Sequence, residues 1–325
     1  MNVAIIGAGL IGRKRALALP KNINLKIICD LDEERGKKFA KEFKCMFEKN
    51  WQKIVNNAEI DALFISTTNN SLSQIAIKAI RSGKHILIEK PGGVNLRQLQ
   101  DTYAAYKKSP VVIMYGYNHK YHPAIQMAKK IADSKKYGHI LFIRSRYGHG
   151  GRQGYEREWR FQKKLSGGGE LIDQGCHLID LVNLFCGEMN QTSGFITNLY
   201  WKTPLDDAAF FQLRNKKNQI ADLSVTCVEW KNIFSFEIML QNAKIQIEGL
   251  GGSYGKEKLT LYKMRPKMGP PDIEIFEFDN EDISWRDENN LFFKKILQKD
   301  YNSASIKNAL YVMTIIKELY QKNTV

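Results

Sequence analysis

The stretch NVAIIGAGLIG, residues 2–12, decides the fold. A short β-branched run leads through a GxGxxG motif into a helical pattern, which is the context in which that motif binds a dinucleotide. Gly7 permits a tight turn, Gly9 lets the backbone approach a pyrophosphate, and Gly12 allows close packing of helix on strand. Leu10 and Ile11 begin the helix, where free amides and the helix dipole favour phosphate. The stretch therefore predicts a dinucleotide site.

Asp30 closes the second predicted strand, 18 residues after Gly12. A carboxylate there accepts the ribose hydroxyls of NAD and repels the 2′-phosphate of NADP, so NAD is the favoured cofactor and NADP the alternative. Arg35 weakens this preference, because its guanidinium can stack on adenine or meet a phosphate; otherwise it is a solvated charge on the second helix. Asp30 is also a candidate N-cap of the helix over 32–43.

Residues 1–118 alternate β-branched runs with helical patterns, which predicts a doubly wound parallel sheet, an NAD(P)-binding Rossmann domain. The predicted strands cover 2–6, 25–29, 62–65, 85–88 and 111–115, and the predicted helices 10–18, 32–43, 50–56, 71–82 and 95–107.

Residues 119–325 follow a different pattern, in which strands succeed one another without helices between them. This predicts an α+β domain with a mostly antiparallel sheet. Its strands are expected at 139–147, 191–200, 207–214, 219–230, 233–240, 243–248, 258–264 and 273–278, and its helices at 123–134, 170–186, 286–298 and 303–322. The helices over 286–322 are candidates to pack back on the first domain.

The 325 residues include 49 Lys and Arg against 34 Asp and Glu, a net charge of +15. Such an excess favours an anionic partner. Lys-Lys pairs are scattered over both predicted domains rather than gathered on one helix or tail, so most of the excess is expected to be solvated surface and no nucleic acid is expected as a partner.

Targeting signals are not evident, and no apolar run reaches the roughly 18 residues of a membrane-spanning helix. The five cysteines form no CxxC pair, so neither a disulfide framework nor a metal site is expected. These features favour a cytoplasmic protein without membrane contact, whose cysteines pack as small apolar side chains.

Two further motifs carry a family resemblance: GKHILIEKP at 83–91 and GGELIDQGCH at 168–177. With the N-terminal fingerprint they make the chain resemble the Gfo/Idh/MocA family, the glucose-fructose oxidoreductase and inositol dehydrogenase group. The resemblance implies a Rossmann domain, a second domain whose open sheet forms a homodimer or homotetramer, and NAD(P)-dependent oxidation or reduction of a sugar or polyol.

The resemblance also implies residue roles. Lys90, Asp173 and His177 match the family's catalytic positions, and Glu89 lies in the same EKP motif on the cofactor side. Thr67-Thr68-Asn69 resembles the family's TPN turn beside the nicotinamide, with threonine in place of proline. Thr67 and Asn69 are therefore expected cofactor contacts, whereas Leu72 stands where many members have histidine.

The chemistry of these side chains agrees with that implication. Oxidising a secondary alcohol requires a base for the hydroxyl proton, and histidine is the side chain best suited to that task near neutral pH, so His177 is the candidate base. Asp173, four residues earlier, can orient the imidazole or a hydroxyl, and Lys90 can stabilise a developing alkoxide. Asp180 is expected to brace the helix, and the alternative of a zinc site from Cys176, Cys186 and His177 lacks ligand spacing.

The segment 144–164 precedes the catalytic helix and holds seven Lys and Arg against two Glu, a local charge of +5. It predicts an anionic sugar substrate, such as a nucleotide-activated sugar, with arginines on its oxygens and an aromatic ring stacked on it. A solvated loop or a subunit contact is the other interpretation. The expected substrate contacts are Lys90, Arg152, Tyr155, Trp159, Arg160, Asp173 and His177.

Three classes of function follow. The first is a net sugar, polyol or nucleotide-sugar dehydrogenase, for example a UDP-sugar 3-dehydrogenase of surface glycan biosynthesis. The second is a glycosidase that oxidises its substrate transiently with NAD. The third is a cofactor-binding regulatory protein without catalysis. The presence of three catalytic-type side chains in the family's order argues against this third class.

Overall fold

The computed structural model of the protein describes residues 1–278 and 281–323. The chain divides into two compact units. One comprises Met1–Tyr117, Lys164–Gly167 and Trp285–Met313, and the other Asn118–Lys163, Gly168–Ser284 and the chain from Thr314. Residues 279, 280, 324 and 325 of the predicted second domain lie outside the described residues.

The first unit contains a six-stranded parallel sheet in the order β3-β2-β1-β4-β5-β6. Strand order reverses beside β1, and ligands of such sheets bind where that reversal occurs, beyond the carboxyl ends of the strands. The elements are β1 (Asn2–Ile6), α1 (Leu10–Leu17), β2 (Asn24–Cys29), α2 (Glu33–Phe43), β3 (Met46–Glu48), α3 (Trp51–Val55), β4 (Ala62–Ile65), α4 (Asn69–Arg81), β5 (His85–Glu89), α5 (Leu96–Tyr106) and β6 (Ile113–Gly116).

The core of this unit forms because its strands are apolar on both faces. All four residues of β4 are buried, as expected when helices cover both sides of a sheet. The helix α9 (Ser284–Leu297) adds to this core, since the rings of Phe292 and Phe293 lie 5.7 and 5.9 Å from that of Phe64.

The second unit contains an eight-stranded sheet in the order β14-β13-β12-β11-β7-β10-β9-β8. Every pairing is antiparallel except β7 with β10. The remaining elements are α6 (Pro123–Asp133), β7 (Ile140–Gly148), α7 (Lys163–Ser166), α8 (Cys176–Cys186), β8 (Gln191–Thr197), β9 (Ala208–Arg214), β10 (Ile220–Thr226), β11 (Ile233–Leu240), β12 (Ala243–Glu248), β13 (Lys258–Lys263), β14 (Asp272–Glu277) and α10 (Ala304–Lys322). The two sheets confirm the predicted fold class.

One face of the second sheet is covered, because burial alternates along β11 and β12. The helix α8 packs on β7, and α6 packs on β12 and β13. The opposite face exposes large apolar side chains: Phe195 on β8 is 77% exposed, and its cross-strand partner Phe210 on β9 is 46% exposed.

Candidate functional site

The glycine-rich turn after β1 has the shape that a dinucleotide needs. Gly7 adopts φ +108°, and a Cβ on Gly12 would lie 1.9 Å from the Gly7 carbonyl oxygen. A Cβ on Gly9 would meet nothing within 4 Å, so the space above that backbone is open to a pyrophosphate. No side chain caps the start of α1. The turn therefore fits a dinucleotide's phosphates.

Asp30, expected to bind ribose, is held by this unit's own groups. Its carboxylate accepts the amides of Ala8 (2.7 Å) and Asp32 (2.9 Å) and both Nε and Nη2 of Arg35 (3.1 and 2.6 Å). Burial raises the pKa of Asp30, but the hydrogen bonds from Arg35, Asp32 and Ala8 outweigh it and lower that pKa below its ordinary value. A carboxylate offers about four acceptor positions, so ribose can bind Asp30 only where Arg35 gives way.

The alternative interpretation of Asp30 as a helix cap is wrong. The helix α2 begins at Glu33, and its N-cap is Asp32, whose side chain accepts the Arg35 amide at 3.0 Å. The Arg35 side chain is half-exposed, and its guanidinium forms an ion pair with Asp30. Arg35 is therefore not simply a solvated charge.

The turn expected beside the nicotinamide makes internal contacts. The Asn69 amide donates to the Ser166 carbonyl at 2.8 Å and is buried, while the Thr67 hydroxyl accepts from Ser71 at 2.9 Å. Leu72 is fully buried in α4. Asn69 thus fixes the backbone at Ser166 within the first unit, and the expected cofactor contacts of Thr67 and Asn69 stay predictions.

Glu89, an expected cofactor contact, directs its carboxylate to Arg15. Its carboxylate accepts Arg15 Nε at 2.7 Å, and both side chains are buried. Arg15 also pairs with Glu288 at 2.7 Å and donates to Asn289 at 3.1 Å. Lys90 follows directly after β5, and its peptide bond to Pro91 is cis.

The helix that carries Asp173 and His177 is anchored at its start by Asp206. A π-helical turn, Leu171–Gly175, leads into α8. The Asp206 carboxylate accepts the amides of Gly169 (3.0 Å) and Leu171 (2.8 Å) and the hydroxyl of Tyr320 (2.8 Å). Burial raises the pKa of Asp206, and these bonds only partly oppose it. The anchor therefore sets where the helix begins.

Asp206→Ala is expected to lower the free energy of unfolding by about 3 kcal/mol, because it removes the acceptor that the amides of Gly169 and Leu171 share with the Tyr320 hydroxyl. Urea denaturation measures the loss. Asp222→Ala is the control, since its half-exposed carboxylate lies 3.8 Å from Arg144 and is expected to contribute less than about 1 kcal/mol. Equal losses in the two variants would contradict an anchoring role.

Asp173 lies against the basic segment. Arg160 Nε donates to its carboxylate at 3.1 Å, and Arg160 also lies 4.9 Å from the ring of Trp159. Arg160 Nη1 lies 3.5 Å from Glu158, which also pairs with Arg152. Burial lowers the pKa of Arg160, but Asp173, Tyr155 and Glu158 together raise it above its ordinary value. The structure thus brings two predicted site residues, Asp173 and Arg160, together.

Tyr155 has a position that contradicts its expected role. Its ring is 3% exposed and packs in a core cluster with Phe161, Trp201, Leu205 and Cys227. A ring in a core cannot also stack on a sugar, so this expectation is corrected. Trp159 and Arg152 are less enclosed, and the Arg152 side chain is 69% exposed.

His177 is buried and lies in an aromatic environment that the sequence did not indicate. Its ring stacks on His119 with centroids 3.8 Å apart, and Tyr147 meets it edge-on at 6.2 Å. Asp180, one turn later, accepts Lys120 Nζ at 2.8 Å. His119 lies outside every motif, so no sequence signal identified it.

All five cysteines lie in the described part of the chain and are free; Cys29, Cys176 and Cys227 are buried. Burial raises the pKa of Cys186 to about 12. Across residues 1–278 and 281–323, no group of three His, Cys, Asp or Glu side chains is placed to hold a metal ion. Within the same residues no helix combines the length and apolarity required to cross a membrane.

Comparison with protein-family models matches both halves of the chain. Residues 1–117 match the NAD-binding Rossmann fold of an oxidoreductase family, and residues 125–246 match the GFO/IDH/MocA C-terminal domain. The chain belongs to the GFO/IDH/MocA oxidoreductase family. Its first unit is accordingly an NAD-binding Rossmann domain, which confirms the expected cofactor class.

Other GFO/IDH/MocA proteins align with part of the chain. Levoglucosan dehydrogenase of Pseudarthrobacter phenanthrenivorans is 30% identical over 224 residues, 63% of this chain and 56% of that protein. The 2,7-anhydro-N-acetylneuraminate hydratase of Escherichia coli is 27% identical over 246 residues, 73% of this chain and 63% of that protein. The alignments thus span about three fifths of each relative's length.

A solved structure of this GFO/IDH/MocA fold matches nearly the whole chain. Levoglucosan dehydrogenase in complex with NADH superposes with a TM-score of 0.88 at 22% identity, covering 99% of this chain and 98% of that one. At this identity the match establishes the fold.

Proposed function

We propose that the protein transfers a hydride between a nicotinamide cofactor and a secondary hydroxyl of a sugar or polyol. The observation that carries this proposal is the anchored helix that bears Asp173 and His177 one turn apart, in a chain with an NAD-binding Rossmann domain. Its relative levoglucosan dehydrogenase supports the substrate class.

The proposed chemistry divides among three side chains. When bound, oxidised NAD supplies the ring that accepts the hydride. His177 takes the hydroxyl proton as the alcohol carbon becomes a carbonyl. Lys90 stabilises the developing alkoxide charge. Asp173, held by Arg160, orients the hydroxyl or the imidazole. Reduction of a ketone runs through the same groups in reverse.

The proposed substrate carries an anionic group, as a nucleotide-activated sugar does; a UDP-sugar oxidised at carbon 3 is one example. Arg152 is the candidate contact because its side chain is 69% exposed, and Trp159 offers a ring for stacking. Glu158 and Asp173 already pair with this segment's arginines, so the available positive charge is smaller than the sequence indicates. The name of the N-acetylneuraminate relative supports an anionic sugar.

Arg152→Ala is expected to raise KM for an anionic sugar about tenfold and leave KM for a neutral sugar unchanged, because one charge-assisted contact is lost. Steady-state kinetics with a matched charged and neutral substrate measure the ratio. Arg144→Ala is the control, since this exposed side chain lies on β7 and pairs with Asp222 rather than with Glu158 or Asp173. An equal KM change for both sugars in Arg152→Ala would contradict the anionic contact.

A screen of free, phosphorylated and nucleotide-activated sugars, followed by NADH fluorescence and product analysis, tests the function. A dehydrogenase forms NADH in proportion to product. A redox-neutral reaction through transient oxidation is the second candidate, because one relative is named a hydratase; it forms product without net NADH. Binding of NADH without any product would instead support a regulatory protein.

We also propose a homodimer or homotetramer formed through the exposed face of the eight-stranded sheet. Phe195 and Phe210 stand opposite each other there and are both exposed, and exposed apolar patches commonly mark interfaces. Light scattering tests the assembly, with Phe210→Lys expected to weaken it.

A further inference from the structure

His119 is a buried histidine that lies against the proposed base. It belongs to a 3₁₀ turn, Asn118–Tyr121, and is 6% exposed. Its ring is nearly parallel to that of His177, with an interplanar angle of 16° and centroids 3.8 Å apart. Such a separation is full van der Waals contact, so one face of the His177 ring is covered by the His119 ring.

A series of hydrogen bonds that runs through Asn118 fixes the His119 ring. Asn118 donates from Nδ2 to the Ser284 hydroxyl at 2.8 Å, and Ser284 donates to Asp282 at 2.5 Å. Asn118 Oδ1 is therefore the acceptor that faces His119 Nδ1, 3.2 Å away. His119 consequently carries a proton on Nδ1 and is held in one tautomer.

Other rings close the sides of this histidine pair. Tyr147 lies edge-on to His119 at 5.1 Å and to His177 at 6.2 Å, and His122 lies edge-on to His119 at 5.9 Å. Burial, with a further contribution from Tyr254, raises the pKa of Tyr147 well above its ordinary value. The Tyr147 hydroxyl therefore stays protonated, and the ring beside the two histidines is uncharged.

This packing restricts the proposed base. Rotation of an imidazole about its Cβ–Cγ bond sweeps the ring through the space on either face, and here one face is filled by His119. We propose that His119 is a positioning residue, which holds the His177 ring in one orientation so that the same nitrogen always meets the substrate hydroxyl. The inference rests on the proposed function, because it assigns His119 a part in proton transfer by His177.

Two substitutions separate positioning from simple packing. His119→Leu keeps an apolar side chain but removes the flat face, whereas His119→Phe keeps the face and removes the nitrogens. His119→Leu is expected to lower kcat about 10–100-fold with KM and the Kd for NADH within threefold, because a misplaced catalytic group costs rate more than binding. His119→Phe is expected to retain at least about a third of kcat. Equal losses of kcat in both variants, or an unchanged kcat in His119→Leu, would overturn the proposal.

A matched control accounts for the loss of an aromatic contact to α8, the helix that carries His177. Phe185→Leu removes the Phe185–Phe236 contact, whose centroids are 5.6 Å apart, and is expected to leave kcat within threefold of wild type. A fall in kcat equal to that of His119→Leu would assign the effect to packing of α8 and contradict positioning.

A spectroscopic readout separates failure of this inference from failure of the proposed function. The chain has six histidines, so ¹⁵N-histidine labelling resolves the His177 ring nitrogens without any substrate. One sharp set of signals is expected in wild type, and broadened or doubled signals in His119→Leu. Signals unchanged in His119→Leu would overturn the inference. If these signals change but the wild type turns over no sugar, the proposed function fails while the orienting contact stands.

Discussion

His177→Asn is expected to lower kcat for sugar oxidation by about 10²–10⁴-fold while the Kd for NADH stays within threefold. His177 is buried, and asparagine is a polar side chain that fits in its place. The amide of asparagine does not accept a proton near neutral pH, so the general-base contribution is lost. Steady-state rates of NADH formation give kcat, and fluorescence titration gives Kd, for a substrate found in the screen.

His139→Asn is the control for this experiment, because His139 is exposed and precedes β7; its kcat is expected to equal that of wild type. If His177→Asn and wild type turn over alike, His177 is not the base. Thermal unfolding of both variants completes the test, since a large fall in Tm in His177→Asn alone would assign its lost activity to misfolding instead.

Much of the fold could be predicted because it depends on local patterns. The apolar run of β4 and the amphipathic spacing in α4 each specify an element within a few residues. The strand β3 escaped prediction, since it has three residues, of which Met46 is exposed. The parallel pairing of β7 with β10 also escaped, because residues 140–148 and 220–226 meet through tertiary packing that no local pattern encodes.

The candidate site likewise could be predicted only where it depends on local sequence. Asp173 and His177 lie four residues apart, so helical spacing sufficed to place them on consecutive turns. His119 lies 58 residues before His177 in sequence, and only the folded unit brings their rings together. Tyr155 was misinterpreted for a related reason: an aromatic ring in a basic segment fits a ligand contact or a core equally well, and burial distinguishes the two.

Charge was the least predictable property. Nothing in the sequence indicates that Arg15 pairs with Glu89. Arg15 is nevertheless fully buried, between Glu89 and Glu288. Its guanidinium also lies 4.7 Å from the ring of Trp285. Long-range pairing of this kind makes Glu89 part of a buried ion-pair cluster in the first unit, while its expected contact with the cofactor stays a prediction.

Arg15→Met is expected to lower the free energy of unfolding by about 3–5 kcal/mol, because it leaves two buried carboxylates without their shared cation. Methionine fills much of the space of the arginine stem, so a cavity contributes little to the loss. Urea denaturation monitored by circular dichroism measures the change.

Arg13→Ala is the matched control, since Arg13 lies on the same helix and pairs with Glu42 with both side chains about half-exposed; its loss of stability is expected to be much smaller than that of Arg15→Met, because water screens an exposed pair. Adding Glu89→Gln and Glu288→Gln to Arg15→Met is expected to recover a large part of the stability, because the buried charges are then removed together. If the triple variant is no more stable than Arg15→Met, unpaired charge is not the cause. The loss would then come from the hydrogen bond to Asn289 and the contact with Trp285, which all these Arg15 variants lack.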